Sequence, residues 1–270
     1  MKKAAICAFL ISSAFVSAQK ATVFEIKIQP EKKYSIESVS LNNINMDVPS
    51  QGPMSILQET KTPFTMTTSK AAADARIPAE IKYGEATMKQ TFNGQAMDQK
   101  NPASGMSIVG TFDKASKFTM ESVKGENISE EVKTLLNSML ENGLKQINFP
   151  TKALAIGESF DDSMPLKIPL AQLGTLNATI KTTYTLTKVE KGLGHFDTKL
   201  NMTMDTSETS SLKATATGSG KGKLEVSLAD KYFTKNSAVM DMDMTLEVQG
   251  MQIVMKTNST TSNTATVSKL

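Results

Sequence analysis

The chain contains no tryptophan, one histidine, one arginine and one cysteine. Each shortage narrows what it can do. The cysteine, Cys7, lies inside the apolar stretch of an N-terminal leader and follows Ile6. It does not stand where a lipoprotein cysteine would, behind that stretch and after a small residue. Beyond the leader there is no thiol, which excludes disulfides, thiol chemistry and cysteine-based zinc sites. Arg76 is the sole arginine, so planar bidentate recognition of phosphate or carboxylate is scarcely available. The missing tryptophan and the mere four tyrosines weigh against a sugar-stacking platform. A Ser-His-Asp triad would have to use His195. That residue follows Gly194 where a turn is expected, and it reads as a solvated turn histidine. No G-x-S-x-G elbow accompanies it, because Gly157-Glu158-Ser159-Phe160-Asp161 lacks the final glycine.

The leader itself follows the order of a signal peptide. Met1-Lys2-Lys3 is basic, residues 4–15 are uncharged and largely apolar, and Val16-Ser17-Ala18 ends in small residues. The apolar stretch is shorter than the ~20 residues a spanning helix needs, and no later run is long enough. The expectation is export to the periplasm, cell envelope or extracellular space after cleavage near Ala18, with residues 19–270 forming one β-rich domain. Losing Lys2 and Lys3 from the 30 basic residues leaves 28 against 27 acidic ones. So even a balance argues against nucleic acid as a partner, which calls for a clustered basic face.

What is present is alternation. Period-two patterns, the mark of half-buried strands, run through 22–28, 33–41, 62–68, 81–92, 106–112 and 117–123. They return at 176–189, 196–204, 223–228, 238–248 and 251–257. Threonine is abundant among them, and its branched Cβ suits a pleated surface. Asn93-Gly94, Gly52-Pro53, Asn101-Pro102 and Lys191-Gly192 punctuate the runs as turns. Residues 218–223 (GSGKGK) lack the G-x-x-x-x-G-K-[ST] order of a phosphate loop and read as a flexible hairpin turn. The polar residues 256–270 read as a last strand fraying into a tail.

One segment breaks the pattern. Across 128–147, Val132, Leu135, Leu136, Met139, Leu140, Leu144 and Ile147 form a stripe at helical spacing. Asn127 with Glu130 suits a capping box, Ser129 is a rival N-cap, and the early glutamates suit the helix dipole. The fold class expected is therefore mainly β: an antiparallel curved sheet or open half-barrel of about ten or more strands. One central α-helix packs on it and joins strand-rich halves 19–125 and 149–270. The acidic polar face of that helix disfavours a membrane-surface role. A faint echo of Asp113-Lys114 and Phe118-Thr119 in Asp230-Lys231 and Phe233-Thr234 leaves duplication of the halves open.

Several short motifs resemble an uncharacterised family of exported envelope proteins related to the LolA- and LppX-like lipoprotein-carrier half-barrels. They are the leader, the tyrosine-led strand at Lys33-Tyr34-Ser35-Ile36, Phe149-Pro150, Ala155-Ile156-Gly157-Glu158-Ser159-Phe160, and Asp230-Lys231-Tyr232-Phe233 with Asn236-Ser237. The chain departs from the pattern at Phe160, where the family has tryptophan. The resemblance implies a curved antiparallel sheet, one face wrapping a helix or an apolar ligand. It transfers no catalytic residue.

The methionines are the most unusual feature. Met240-Asp241-Met242-Asp243-Met244 alternates strictly, which places three thioethers on one face of a strand and two carboxylates on the other. Met202 and Met204 repeat the step, and Met251 and Met255 do so more widely. Methionine is flexible and polarizable, so it suits surfaces that adapt to varied apolar partners. Met202, Met204, Met240, Met242 and Met244 are the candidate ligand-facing residues; ordinary core packing is the competing reading. Thioether copper ligation lacks any histidine or cysteine nearby in sequence. Asp161-Asp162 point to opposite faces of an extended chain, and Asp241 with Asp243 are too few oxygens for calcium. No metal, cofactor or catalytic residue is assigned. The functional expectation is a non-catalytic envelope protein that binds a lipid or other hydrophobic small molecule. A structural module with a filled core that docks an envelope protein is the alternative, and a hydrolase the remote one.

Overall fold

Alternating branched and polar residues put one side of each strand in water and the other against a core, and a single large sheet results. The structure is a computed structural model. It describes residues 21–49, 52–100, 104–125, 147–169, 175–206, 212–248 and 250–270, together with positions 128, 133, 136 and 140. The strands are β1 (Lys32–Val48), β2 (Gly52–Thr68), β3 (Ile77–Tyr83), β4 (Thr87–Phe92), β5 (Gln95–Lys100), β6 (Ser107–Phe112) and β7 (Phe118–Lys124). After these come β8 (Ser159–Pro169), β9 (Thr175–Glu190), β10 (Leu193–Thr206), β11 (Leu212–Ser227), β12 (Tyr232–Val248) and β13 (Met251–Lys269).

All thirteen belong to one antiparallel sheet in the order β7-β6-β3-β2-β1-β13-β12-β11-β10-β9-β8, with the β4–β5 hairpin attached to β2. The sheet is open, with β7 and β8 at its margins, and is not closed into a barrel. The first and last strands meet in its middle: β1 pairs β13 from Lys32↔Lys269 to Asp47↔Val254. β3 and β4 run end to end beside β2, so the alternation read across 81–92 is interrupted once, at 84–86. Gly84 donates its N–H to Pro63 O at 2.9 Å at that break. The hairpin turns at Asn93-Gly94 and Lys191-Gly192 have positive φ at both residues, as two-residue turns of the right twist require.

The face that carries the core, here the inner face, is packed at one end of the long strands. One cluster gathers Tyr34, Ile36, Met66, Ile81, Ile108 and Phe112 where β1 begins and β2 ends. A second gathers Leu186, Phe196, Leu224 and Val226 on β9–β11 with Phe24 and Leu154 laid over them. Residues 22–28, expected as a strand, form no ladder. Thr22 bridges Leu154, and Lys27 N donates to Lys231 O at 2.8 Å. The alternation is nevertheless physical: Phe24, Ile26 and Ile28 point inward from an extended strap, and Ile26 packs on both clusters. Alternation reports an extended chain with two unlike sides, which a strap across a sheet satisfies as well as a strand in it.

Three further expectations are corrected. The helix over 128–147 falls mainly on residues outside those described, and no helix is delimited among the described ones. The central helix is thus unsupported as an element. Lys133, Leu136 and Leu140 have helical backbone, and the two leucines are buried in the first cluster. Residues 218–223 lie in mid-strand of β11 rather than in a turn, and β13 continues to Lys269 without fraying. The glycines occur at alternate positions, all on the inner face. A Cβ there would lie 2.5 Å from Val239 O at Gly220 and 2.1 Å from Ser237 O at Gly222. Glycine serves a close backbone approach between β11 and β12.

Candidate functional site

The ladder registers convert single residues into transverse rows, because directly paired residues project to the same face. One row runs from Ala178 on β9 through Met204, Ala216, Met244, Met255 and Met46 to Met54 on β2. The next runs from Met164 on β8 through Ile180, Met202, Gly218, Met242, Thr257 and Ile44 to Ile56. Three rows, marked on β12 by Met242, Met244 and Leu246, are predominantly apolar and together span ~13 Å along the strands at ~3.3 Å per residue; the row of Met240 already carries Ser259, Asn42 and Gln58.

The five methionines singled out from the sequence do share this face and one cluster, but they differ in access. Met202 and Met204 are only 6% and 9% exposed. They lean over the small Ala178, Ala214, Ala216 and Gly218 of the flanking strands and are covered by side chains from β12. Those two are packing residues. Met240, Met242 and Met244 are half-buried and form the accessible part. Reading the sequence missed Ile44, Met46, Met54 and Ile56, half-buried on the same rows. Met251, at the rim, is 48% exposed. Leu136 and Leu140 pack in the first cluster and not on the methionine rows.

Between the rows and the first core lies a polar belt: Ser38, Ser40 and Asn42 on β1, Gln58, Thr60 and Thr62 on β2, Ser259, Thr261 and Asn263 on β13. Ser259 Oγ donates to Asn42 Oδ1 at 2.7 Å across the strands. Apart from Lys32 and Lys269 at the ladder's end, Asp162 is the one charged side chain on this face among the described residues. Asn148 Nδ2 donates to Asp162 Oδ1 at 2.9 Å. One residue pair along the strand, Tyr184 stacks on Phe160 with centroids 4.9 Å apart. Burial, helped by the negative charge of Asp162, pushes the Tyr184 phenol up to about 12.

The opposite face carries the charge. Lys61 Nζ lies 2.9 Å from Glu37 Oε2 and Lys82 Nζ 3.1 Å from Glu80 Oε2, exposed pairs that contribute solubility more than stability. Asp241 and Asp243 are there too, exposed, with Asn258 Nδ2 donating to Asp241 Oδ1 at 2.7 Å. A depression of about 780 Å³ has much of its wall on this side, where Lys33, Glu37, Lys82 and Thr266 line it. It is not a cavity under the methionine rows.

His195 is on the charged face as well, within β10 and not in a turn; the turn is at Lys191-Gly192. Its Nδ1 is 3.3 Å from Glu225 Oε2. The Thr234 hydroxyl donates to the same carboxylate and not to the imidazole. The arrangement orients a histidine without presenting it a nucleophile. Asp161 and Asp162 do point to opposite faces, Asp161 accepting from Thr183 Oγ1 at 2.6 Å. Among the described residues no three of His, Cys, Asp and Glu converge on a metal-sized space.

No family model and no curated protein matches the chain. Solved structures that overlay on it do so distantly. A structure concerned with lipid–protein interactions in lipovitellin is 8% identical with a TM-score of 0.47, covering 90% of this chain and 26% of that one. The chain thus spans about a quarter of the lipovitellin chain. Pseudomonas aeruginosa OccK5 (OpdH) is 6% identical with a TM-score of 0.27, covering 87% and 98% of the two chains. The beta domain of the Bordetella autotransporter Brka is 5% identical with a TM-score of 0.22, covering 85% and 98%. At such scores none of them bears on what the chain does.

Proposed function

We propose that this chain is a non-catalytic protein of the bacterial envelope, exported by its leader and akin to the LolA- and LppX-like half-barrels, whose inner face binds the acyl part of a lipid. The observation that supports it is the set of half-buried rows on β12, β13, β1 and β2: apolar, free of charge, and adjoined by a polar belt. Methionine suits an occupant without fixed shape, because its three side-chain torsions and polarizable sulfur follow a disordered chain. Length fits too: the ~13 Å of apolar rows is close to the ~15 Å of one leaflet, half of a ~30 Å hydrocarbon core. The belt then meets ester and headgroup oxygens.

The magnitude is modest. At ~0.8 kcal/mol per buried methylene, a sixteen-carbon chain covered on one side gains roughly 6 kcal/mol, a Kd of tens of micromolar on the order of ~40 μM. A diacyl lipid using adjacent strands binds more tightly. The test is native mass spectrometry of the mature protein from its own envelope, with lipid extraction, and uptake of a fluorescent fatty acid. An apolar adduct released on denaturation is expected, with uptake weakened at least tenfold in Met242→Asp, which sets a carboxylate on the apolar rows. A clean apo mass with no fatty-acid uptake refutes the reading. The second reading, a protein partner added at a free edge, draws on the open margins at β7 and β8, and that same negative result moves the argument to it.

A further inference from the structure

The apolar rows contain an arrangement that hydrocarbon binding does not require. Met244, Met255, Met46 and Met54 occupy the same row on four consecutive strands, each directly opposite the next. Two hairpins build it. Met46 and Met54 flank the β1–β2 turn, Met244 and Met255 flank the β12–β13 turn, and the β1–β13 ladder joins them at Met46↔Met255. Directly opposed side chains have Cβ atoms ~4.5–5.5 Å apart. A methionine reaches across that gap with three torsions to spare, so neighbouring sulfurs can turn onto one point. Met242 sits diagonally from Met255, one row away, within reach of a long side chain. Ala216, opposite Met244 on its other side, leaves that side chain room to turn.

We propose that this row is a binding site for a soft monovalent metal ion, copper(I) or its analogue silver(I), held by three neighbouring thioethers that include the central pair Met255 and Met46. The sequence disfavoured such a site because no histidine or cysteine stands near Met240–Met244; the register supplies the donors that the linear order conceals. Thioethers are soft, neutral ligands and select copper(I) over hard divalent ions. The surroundings reinforce the choice. Asp47, Asp243 and Lys256 project to the opposite face, so the row offers no carboxylate to calcium, magnesium or zinc. The residues are half-buried, which leaves an ion a path of entry from solvent. Binding is ligation alone, without electron transfer, and no proton is displaced because a thioether has none to lose. The inference does not rest on lipid binding.

The experiment is anaerobic titration of delipidated mature protein with silver(I) and with copper(I) against a chromogenic copper(I) chelator. One saturable equivalent is expected, unaffected by excess zinc(II) or calcium(II). Affinity falls at least tenfold in Met46→Leu/Met255→Leu, which conserves volume, and not in Met97→Leu, on β5 and outside the row. In the wild-type protein the methyl resonances of Met46 and Met255 shift on adding silver(I), together with that of Met244 or Met54, a readout independent of whether the double variant folds. No saturable uptake, or uptake that leaves those methyl groups unmoved, overturns the proposal. Protein that takes silver(I) but no fatty acid refutes the lipid reading and retains this one; the converse result does the opposite.

Discussion

The glycines of β11 allow a graded perturbation whose order is set by geometry. Alanine for glycine in a strand ordinarily gains ~0.5–1 kcal/mol by restricting the unfolded chain. Against that stands what the new methyl meets. At Gly218 the nearest atom is Asp241 O at 3.1 Å, followed by Met242 Cβ and Met202 Cβ at 3.5 and 3.6 Å. At Gly220 it is Val239 O at 2.5 Å, and at Gly222 Ser237 O at 2.1 Å with Thr198 Oγ1 at 2.8 Å. A carbon rests ~3.3 Å or more from a carbonyl oxygen, so Gly222→Ala requires a movement of more than an ångström by backbone that is itself hydrogen-bonded. Overpacking of that kind costs ~1–3 kcal/mol. The net expectation is neutrality for Gly218→Ala, about 1 kcal/mol lost for Gly220→Ala, and about 2 kcal/mol lost for Gly222→Ala. At ~2–4 °C per kcal/mol for a chain this long, the last variant melts about 4–8 °C below the wild type. Urea and thermal unfolding followed by circular dichroism measure it. Equal melting of all three, or stabilisation by Gly222→Ala, would refute a close β11–β12 approach and with it the mid-strand role assigned to the glycines.

Two more predictions concern the packed end. Burial holds the phenols of Tyr184, Tyr232 and Tyr34 above their ordinary range, Tyr184 at about 12. A phenol with a raised folded pKa contributes its stability fully below the unfolded value of ~10 and loses it as pH climbs through the folded one. The urea midpoint is therefore expected to fall from pH 10 to 12 as phenolate absorbance appears cooperatively; a midpoint that rises across that window contradicts the burial. Phe24 is 3% exposed, with its ring 5.0 Å from that of Phe196 and 5.9 Å from that of Phe149. Phe24→Ala should cost ~3–5 kcal/mol, read as a lower denaturation midpoint, and a loss under 1 kcal/mol would show that the strap lies loosely on the sheet.

What could be read from the sequence was local. The threonine-rich run 176–189 became β9 and the run 238–248 became part of β12, because period-two alternation and branched Cβ atoms act within a single strand. Asn93-Gly94 and Lys191-Gly192 were legible because a two-residue turn with positive φ at both positions favours glycine at the second. Composition misled where it competed with period. Gly218 to Lys223 looked like a turn by residue type, although its glycines fall on every second position. Residues 256–270 looked like a tail by their polarity, although Thr257, Ser259, Thr261 and Asn263 alternate on the inner face. The site was half legible. Three methionines in five residues announce one face of β12, but Met46, Met54 and Met255 are isolated in their own strands and acquire meaning only through β1–β2, β1–β13 and β12–β13 registers. No single-strand pattern encodes which strands become neighbours.

That non-local origin constrains how the inner face can exist at all. The row Met244, Met255, Met46 and Met54 has its central contact between β1 and β13, residues 46 and 255, so closing it means bringing the two ends of the chain together. A loop of that length costs only about 0.6 kcal/mol more than one half as long, but it returns nothing until both hairpins are formed and in register. Register is enforced at the other end of the same strands, where Tyr34 and Ile36 of β1 meet Val267 and Ala265 of β13 in the first core. A slip by one residue would turn those side chains into water and place Ser35 and Glu37 in the core. The packed end thereby aligns the open end: a core of aromatic and branched residues sets the ladder, and the ladder carries that alignment along β1 and β13 to rows over which no second layer lies among the described residues. Substitutions in the first core that loosen β1 against β13 should therefore weaken binding at the methionine rows without touching them, whereas substitutions in the rows leave the core intact.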